Sequence, residues 1–189
     1  IWFNRTMRHR TTLVAIGAVV AGLGVTTGGG RELLRRQAAI ARARIGKPLG
    51  EQALAADKVW KRKTYDGTPL HLLLLGDSIA AGLGAERPKD TLGARLARGL
   101  AGRVKRPVAL RTAAVVGSET SALEGQLDGL PDGYRADVAV IVVGGNDVTH
   151  RVPTSTSAAQ LETAVLRLRE RGTEVVVGTC PDLGLLQPV

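Results

Sequence analysis

The chain has 189 residues, 44% of them hydrophobic but only 3% aromatic, which allows one sizeable core packed from Leu, Val, Ile and Ala and favours a layered α/β domain over an aromatic-rich sandwich. A single cysteine, Cys180, excludes an internal disulfide and a Cys-rich zinc site. The formal charge is +9, yet residues 1–63 hold 13 Lys and Arg against 3 Asp and Glu while residues 64–189 hold 13 against 14, so the basicity is expected in the leader and a nucleic-acid partner is not.

Residues 1–30 read as an N-terminal signal or membrane-anchor segment. Arg5, Arg8 and Arg10 precede Thr11 to Gly30, a stretch without charge whose apolar centre runs from Leu13 to Val25. It reaches roughly the 20 residues that cross a bilayer, so the protein is expected to be membrane-anchored or secreted. Residues 31–69 form a basic helical linker. Within it, Arg31 to Lys47 sets Leu33, Leu34, Ala38, Ala41 and Ile45 roughly on one face, with arginines around the rest. Such a segment suits an anionic membrane surface or a solvated helix equally well. Glu51 to Lys63 reads as a second short helix carrying Trp60.

From residue 70 to 189 strands and helices alternate, the pattern of a parallel sheet with crossover helices. HLLLLGDS, His71 to Ser78, is a strand buried on both faces that stops at Gly76 and presents Ser78 at its carboxyl end. Asp90 is expected to cap a helix with Leu92, Leu96 and Leu100 on its buried face. Val108 to Val116 is a second strand ending at Gly117, and Thr120 to Leu130 a short helix. Asp137 to Val143 is the clearest buried strand and ends at Gly144-Gly145-Asn146-Asp147. Ser157 and Gln160 make a capping box before a helix with Leu161, Ala164, Val165 and Leu168 as its stripe. Glu174 to Thr179 is a fourth strand.

Three strand ends thus carry Gly76-Asp77-Ser78, Gly117 and Asn146. Ligands bind in the crevice outside the carboxyl ends of such strands, so Ser78 is a candidate nucleophile. The backbone N–H groups of Ser78 and Gly117 and the Asn146 carboxamide would be donors for an oxyanion. No dinucleotide fingerprint, P-loop or G-x-S-x-G elbow is present, and no cluster has metal-ligand spacing. Neither a cofactor nor a metal is expected.

These blocks resemble the SGNH hydrolases, also called GDSL-like lipases and esterases: Gly76-Asp77-Ser78 is similar to the first block, Gly117 to the second, and Gly144-Gly145-Asn146-Asp147 to the third. The resemblance covers about residues 70–189. It implies a three-layer, flavodoxin-like αβα fold and a serine hydrolase of acyl esters, with Ser78 as nucleophile and Ser78, Gly117 and Asn146 as the oxyanion hole. The substrate would be a small-molecule, lipid or carbohydrate acyl ester. Asp147 is expected to be structural.

The family's final Asp-x-x-His, which supplies the base, has no counterpart among these residues. The histidines are His9, His71, at the opposite end of the first strand, and His150, which lines the cleft rim or caps its loop, with a role as substitute base the lesser alternative. The chain is therefore expected to be truncated before that block, its sheet incomplete. Removing a triad base costs about 10⁶ in rate. The competing reading is a non-catalytic acyl- or carbohydrate-binding pseudo-hydrolase, or an inactive fragment.

Overall fold

The computed structural model describes residues 29–37, 39–40 and 52–178. The expected apolar N-terminal helix and the residues from Thr179 onward lie outside them. The chain divides into two compact units, Ile1–Pro48 with Gly184–Val189, and Leu49–Leu183. In the first, residues 29–37 and 39–40 are helical, as the basic periodicity predicts.

The second unit is an α/β domain around a five-stranded sheet. In chain order its strands are β1 (Val59–Trp60), β2 (Leu70–Gly76), β3 (Val108–Thr112), β4 (Val138–Val142) and β5 (Glu174–Gly178). The spatial order is β1-β3-β2-β4-β5, with β1 antiparallel and all other pairs parallel. The helices are α1 (Ser78–Ala81), α2 (Leu92–Val104), α3 (Leu123–Asp128), α4 (Gly145–Thr149) and α5 (Thr154–Glu170).

Four consecutive leucines build both layers from one central strand, because side chains alternate across a strand. Leu73 and Leu75 face one core with Leu123 and Leu127 of α3 and Ala164 and Leu168 of α5. Leu72 and Leu74 face the other, with Ala94, Ala97 and Ala101 of α2, Trp60 and Val108. All four leucines are buried, each contributing about 1.5–3 kcal/mol.

Several expected boundaries move, each for a local reason. No helix forms over residues 52–63; instead Val59 and Trp60 pair with Ala109 and Val108 as an antiparallel edge strand. α2 buries Gly93, Ala94, Ala97 and Ala101, whereas Leu92, Leu96 and Leu100 are only half-buried at its flanks. A Cβ on Gly93 would already come within 3.0 Å of Leu110, so the close approach of α2 to the sheet selects small residues. Thr91, not Asp90, caps α2, its Oγ1 accepting from the Ala94 N–H, because Asp90 is drawn to Arg87 at 2.6 Å. β3 ends at Thr112: the Ala113 and Ala114 N–H groups both donate to the Leu74 carbonyl, which breaks the even ladder. The segment expected as one helix from Thr120 begins as a 3₁₀ turn, Thr120–Ala122, before α3. α5 starts at Thr154 rather than at a Ser157 cap, since Ser157 Oγ donates to Asp147 instead.

Candidate active site

The site is built where β3, β2 and β4 end side by side. Gly76 closes β2 with φ +125°, and a Cβ there would lie 1.9 Å from the Val142 carbonyl oxygen of β4, so only glycine lets the two strands meet at this point. The Asp77 N–H donates to that same carbonyl at 2.9 Å. Asp77 is extended and caps α1, its Oδ1 accepting from the Ile79 N–H at 2.9 Å. Ser78 follows as the first residue of α1 and is half-buried. Gly82, at φ +89°, ends the helix after one turn.

Asp77 is buried, and that burial raises its carboxyl above the ordinary carboxylate value; the charge of Asp147 adds to the shift, while the backbone N–H groups of Ile79 and Gly145 oppose it. The carboxylate thereby orders the turn from which Ser78 follows.

Gly117 follows β3 at φ +84°, exposed, with open space where a Cβ would stand. Its glycine is set by backbone conformation rather than by crowding. Asn146, half-buried in α4, donates one carboxamide N–H to the Ser118 carbonyl at 2.8 Å, which leaves the second amide hydrogen. Among the described residues, neither the Ser78 N–H nor the Gly117 N–H is taken up by another protein acceptor.

The loop after β3 is fastened to the segment after β4 at three successive residues. Ser118 holds Asn146, the Thr120 N–H donates to the Asp147 carboxylate at 3.0 Å, and Glu119 Oε1 lies 2.6 Å from His150 Nδ1. Asp147 is buried and also receives Ser157 Oγ at 2.8 Å. Its carboxylate is wholly occupied in joining elements, in keeping with a structural part. His150 ends α4, its N–H donating to the Asn146 carbonyl, and its ring stands exposed beside Glu119. His71 is exposed near the amino end of β2, its N–H on Asp137 Oδ2 at 2.7 Å; about 17 Å of strand separates it from Gly76. Among the described residues no group of His, Cys, Asp and Glu could hold a metal.

One residue escapes sequence reasoning. Gln126 of α3 is buried and clasps Gly76 from both sides: Oε1 accepts from the Gly76 N–H and Nε2 donates to the Gly76 carbonyl, each at 2.8 Å. Nε2 also reaches Ser118 Oγ at 3.3 Å, so one amide ties the turn before Ser78 to the residue after Gly117. The available signal is a glutamine between Leu123 and Leu127 on an otherwise apolar helix face.

The model of the GDSL-like Lipase/Acylhydrolase family matches residues 74–188. The chain belongs to this family. It is similar to the GDSL-like esterase Rv1075c of Mycobacterium tuberculosis, 37% identical over 96% of this chain and 60% of that protein. The chain therefore spans about three-fifths of the length of that relative. The crystal structure of AlinE4, an SGNH-hydrolase family esterase, shares the fold, with a TM-score of 0.51 and 23% identity over 59% of each chain. A variant of that esterase gives 0.53 and 22%, over 62% of this chain and 64% of the other. The α/β sheet with its helices is the fold expected from the sequence.

Proposed function

We propose that this GDSL-family chain acts on acyl esters, with Ser78 as the nucleophile and the N–H groups of Ser78 and Gly117 and the Asn146 carboxamide as the oxyanion hole. The reading rests on the adjacency of β3, β2 and β4, whose ends carry these three residues. Ser78 Oγ would attack the ester carbonyl carbon and give up its proton to a water, the carbonyl oxygen would gain charge against the three donors, and the C–O bond to the alkoxide would break as that alkoxide takes up a proton from water and leaves as the alcohol, the acyl group staying on Ser78. Donors fixed before the reaction need no reorganisation as charge develops, and removing one typically costs about 10²–10³ in rate. A second reading, an acyl- or carbohydrate-binding pseudo-hydrolase, is favoured by the placement of the two histidines among the described residues: His71 stands near the opposite end of β2, and His150 Nδ1 lies against Glu119. Residues 1–30 would serve as a signal or anchor, and the arginines of the helical residues 29–37 would face a membrane, Leu33, Leu34 and Ile40 being exposed.

Incubation with p-nitrophenyl acetate followed by intact-mass and peptide analysis separates the two. The hydrolase reading expects an acetyl adduct on Ser78 with release of nitrophenol, abolished by Ser78→Ala and slowed about 10²-fold by Asn146→Ala. A wild-type chain that binds acyl ligands but forms no adduct supports the second reading; an adduct that persists in Ser78→Ala overturns the first.

A further inference from the structure

The Ser78 site leaves unexplained how charge is distributed over the folded domain. Residues 52–107 hold 11 Lys and Arg against 5 Asp and Glu, whereas residues 108–178 hold 6 against 9. The near-neutral total of the domain conceals a basic half and an acidic half, which corrects the expectation that the basicity belongs to the leader alone. The basic half gathers on one flank. Two adjoining open hollows, of about 370 and 460 Å³, are lined by Lys61, Arg87, Lys89, Arg95 and Arg98, with Asp90 as the one carboxylate.

Asp90 offsets only one of these five cations. Its carboxylate is bonded to Arg87 at 2.6 Å, and the guanidinium holds it below the ordinary carboxylate range. The side chains of Lys61, Lys89 and Arg95 have no hydrogen bond or ion pair among the described residues. Lys61 also stands in the left-handed region, φ +60°, its carbonyl accepting from Thr64 and Tyr65 at 3.0 and 3.1 Å. Non-glycine residues seldom adopt that conformation, and this turn leaves Lys61, Arg62 and Lys63 exposed in a row. Like charges so grouped oppose the compact state, and a polyanionic partner relieves the repulsion.

The occupant follows from what the flank lacks and from what precedes it. Binding of single-stranded nucleic acid uses exposed aromatic rings for stacking, but Trp60 is 8% exposed and lies under Lys58 Nζ at 4.1 Å. A bilayer surface asks only for clustered cations within a Debye length of it. In the sequence, the cationic turn follows an uncharged stretch, Thr11 to Gly30, and the helical residues 29–37 with Arg31, Arg35 and Arg36 beside exposed Leu33 and Leu34. We infer that the flank formed by Lys61, Arg87, Lys89, Arg95 and Arg98 docks the folded domain on an anionic phospholipid surface, independently of the ester chemistry proposed above.

The test is co-sedimentation of the full 189-residue chain with vesicles of phosphatidylcholine alone and of phosphatidylcholine with phosphatidylglycerol at 7:3. The quantity read is the gain in partitioning caused by the anionic lipid, which removes any contribution of the apolar segment. With roughly a fivefold effect per basic residue near the surface, the triple variant Lys61→Glu/Lys89→Glu/Arg95→Glu is expected to lose at least about 100-fold of that gain. The control Arg135→Glu/Arg151→Glu/Arg171→Glu, which makes the same change in net charge elsewhere, keeps it within about threefold. Should circular dichroism show the first variant unfolded, the glutamine triple at the same positions is expected to lose about 100-fold. Three results overturn the inference: no gain in the wild type, equal loss in both triples, or tighter binding to a short DNA duplex than to the anionic vesicles.

Discussion

At the scale of single residues, Asp77 and Gly76 decide how the serine is presented. The glycine brings β2 within reach of the Val142 carbonyl, and the aspartate then caps α1 from a buried position. That burial has a measurable cost in pH dependence. A raised folded-state value means that the folded protein binds the proton more tightly than the unfolded chain does. Stability from this group is therefore greatest below the unfolded value, 3.8, and is lost as pH rises through the raised folded value. Asp77→Asn keeps an acceptor for the Ile79 N–H but carries no charge. Its melting temperature relative to wild type is expected to climb across that acid window and to level off above it. A difference that stays constant from pH 3 to pH 8 would remove Asp77 as the source. The aspartate was legible in the sequence as a neighbour of the serine, but its capping role depends on a turn that only the folded backbone defines.

At the scale of elements, the loop after β3 and the helix after β4 behave as one piece, since residues 118, 119 and 120 each meet a partner between 146 and 150. Asp147 is its buried centre. Asp147→Ala strands the Thr120 N–H and Ser157 Oγ, and is expected to lower unfolding free energy in urea by about 2–4 kcal/mol; Asp147→Asn, which retains an acceptor, should recover part of it. Equal stability of the alanine variant and wild type would show that these bonds are replaced by water. Strands β2 and β4 could be read directly because runs such as Leu72–Leu75 and Val138–Val142 have no other use for so many consecutive apolar residues. The edge strand β1 could not: two residues carry no periodicity, and Trp60 suits a helix face as well as a strand. The buried face of α2 misled for a related reason, since hydrophobicity favours leucine while the narrow gap to the sheet admits only alanine and glycine. Ser157 likewise has the spacing of a capping residue, but a buried carboxylate claims its hydroxyl.

At the scale of the molecule, a single strand serves both layers, so neither core can loosen alone. Leu74→Ala and Leu75→Ala open cavities on opposite faces of the sheet, and each is expected to cost about 2–5 kcal/mol. Both should still show one cooperative transition by circular dichroism and, in a Trp2→Phe background, by the fluorescence of Trp60, which belongs to only one of the two cores. A Leu75→Ala chain whose tryptophan signal melts separately from its helices would mean that the layers are energetically independent. The two-faced burial was legible from the leucine run, and so were the three loops that end beside one another, because strand ends and glycines mark them. The uneven charge was not, since a sum taken over residues 64–189 averages a basic flank with an acidic one.

The clasp of Gln126 on Gly76 carries a consequence for how this chain can change length. Each residue added to or removed from a helix turns every later side chain by about 100° around the axis. An insertion or deletion between Leu123 and Gln126 would swing the amide away from Gly76 and leave the last peptide of β2 without its neighbour. The same change in the loop between Thr112 and Ser118 could be absorbed by slack in the backbone. A length change in α3 ahead of Gln126 is thus expected to be tolerated less well than one in the loop, even though the loop carries Gly117 of the proposed site.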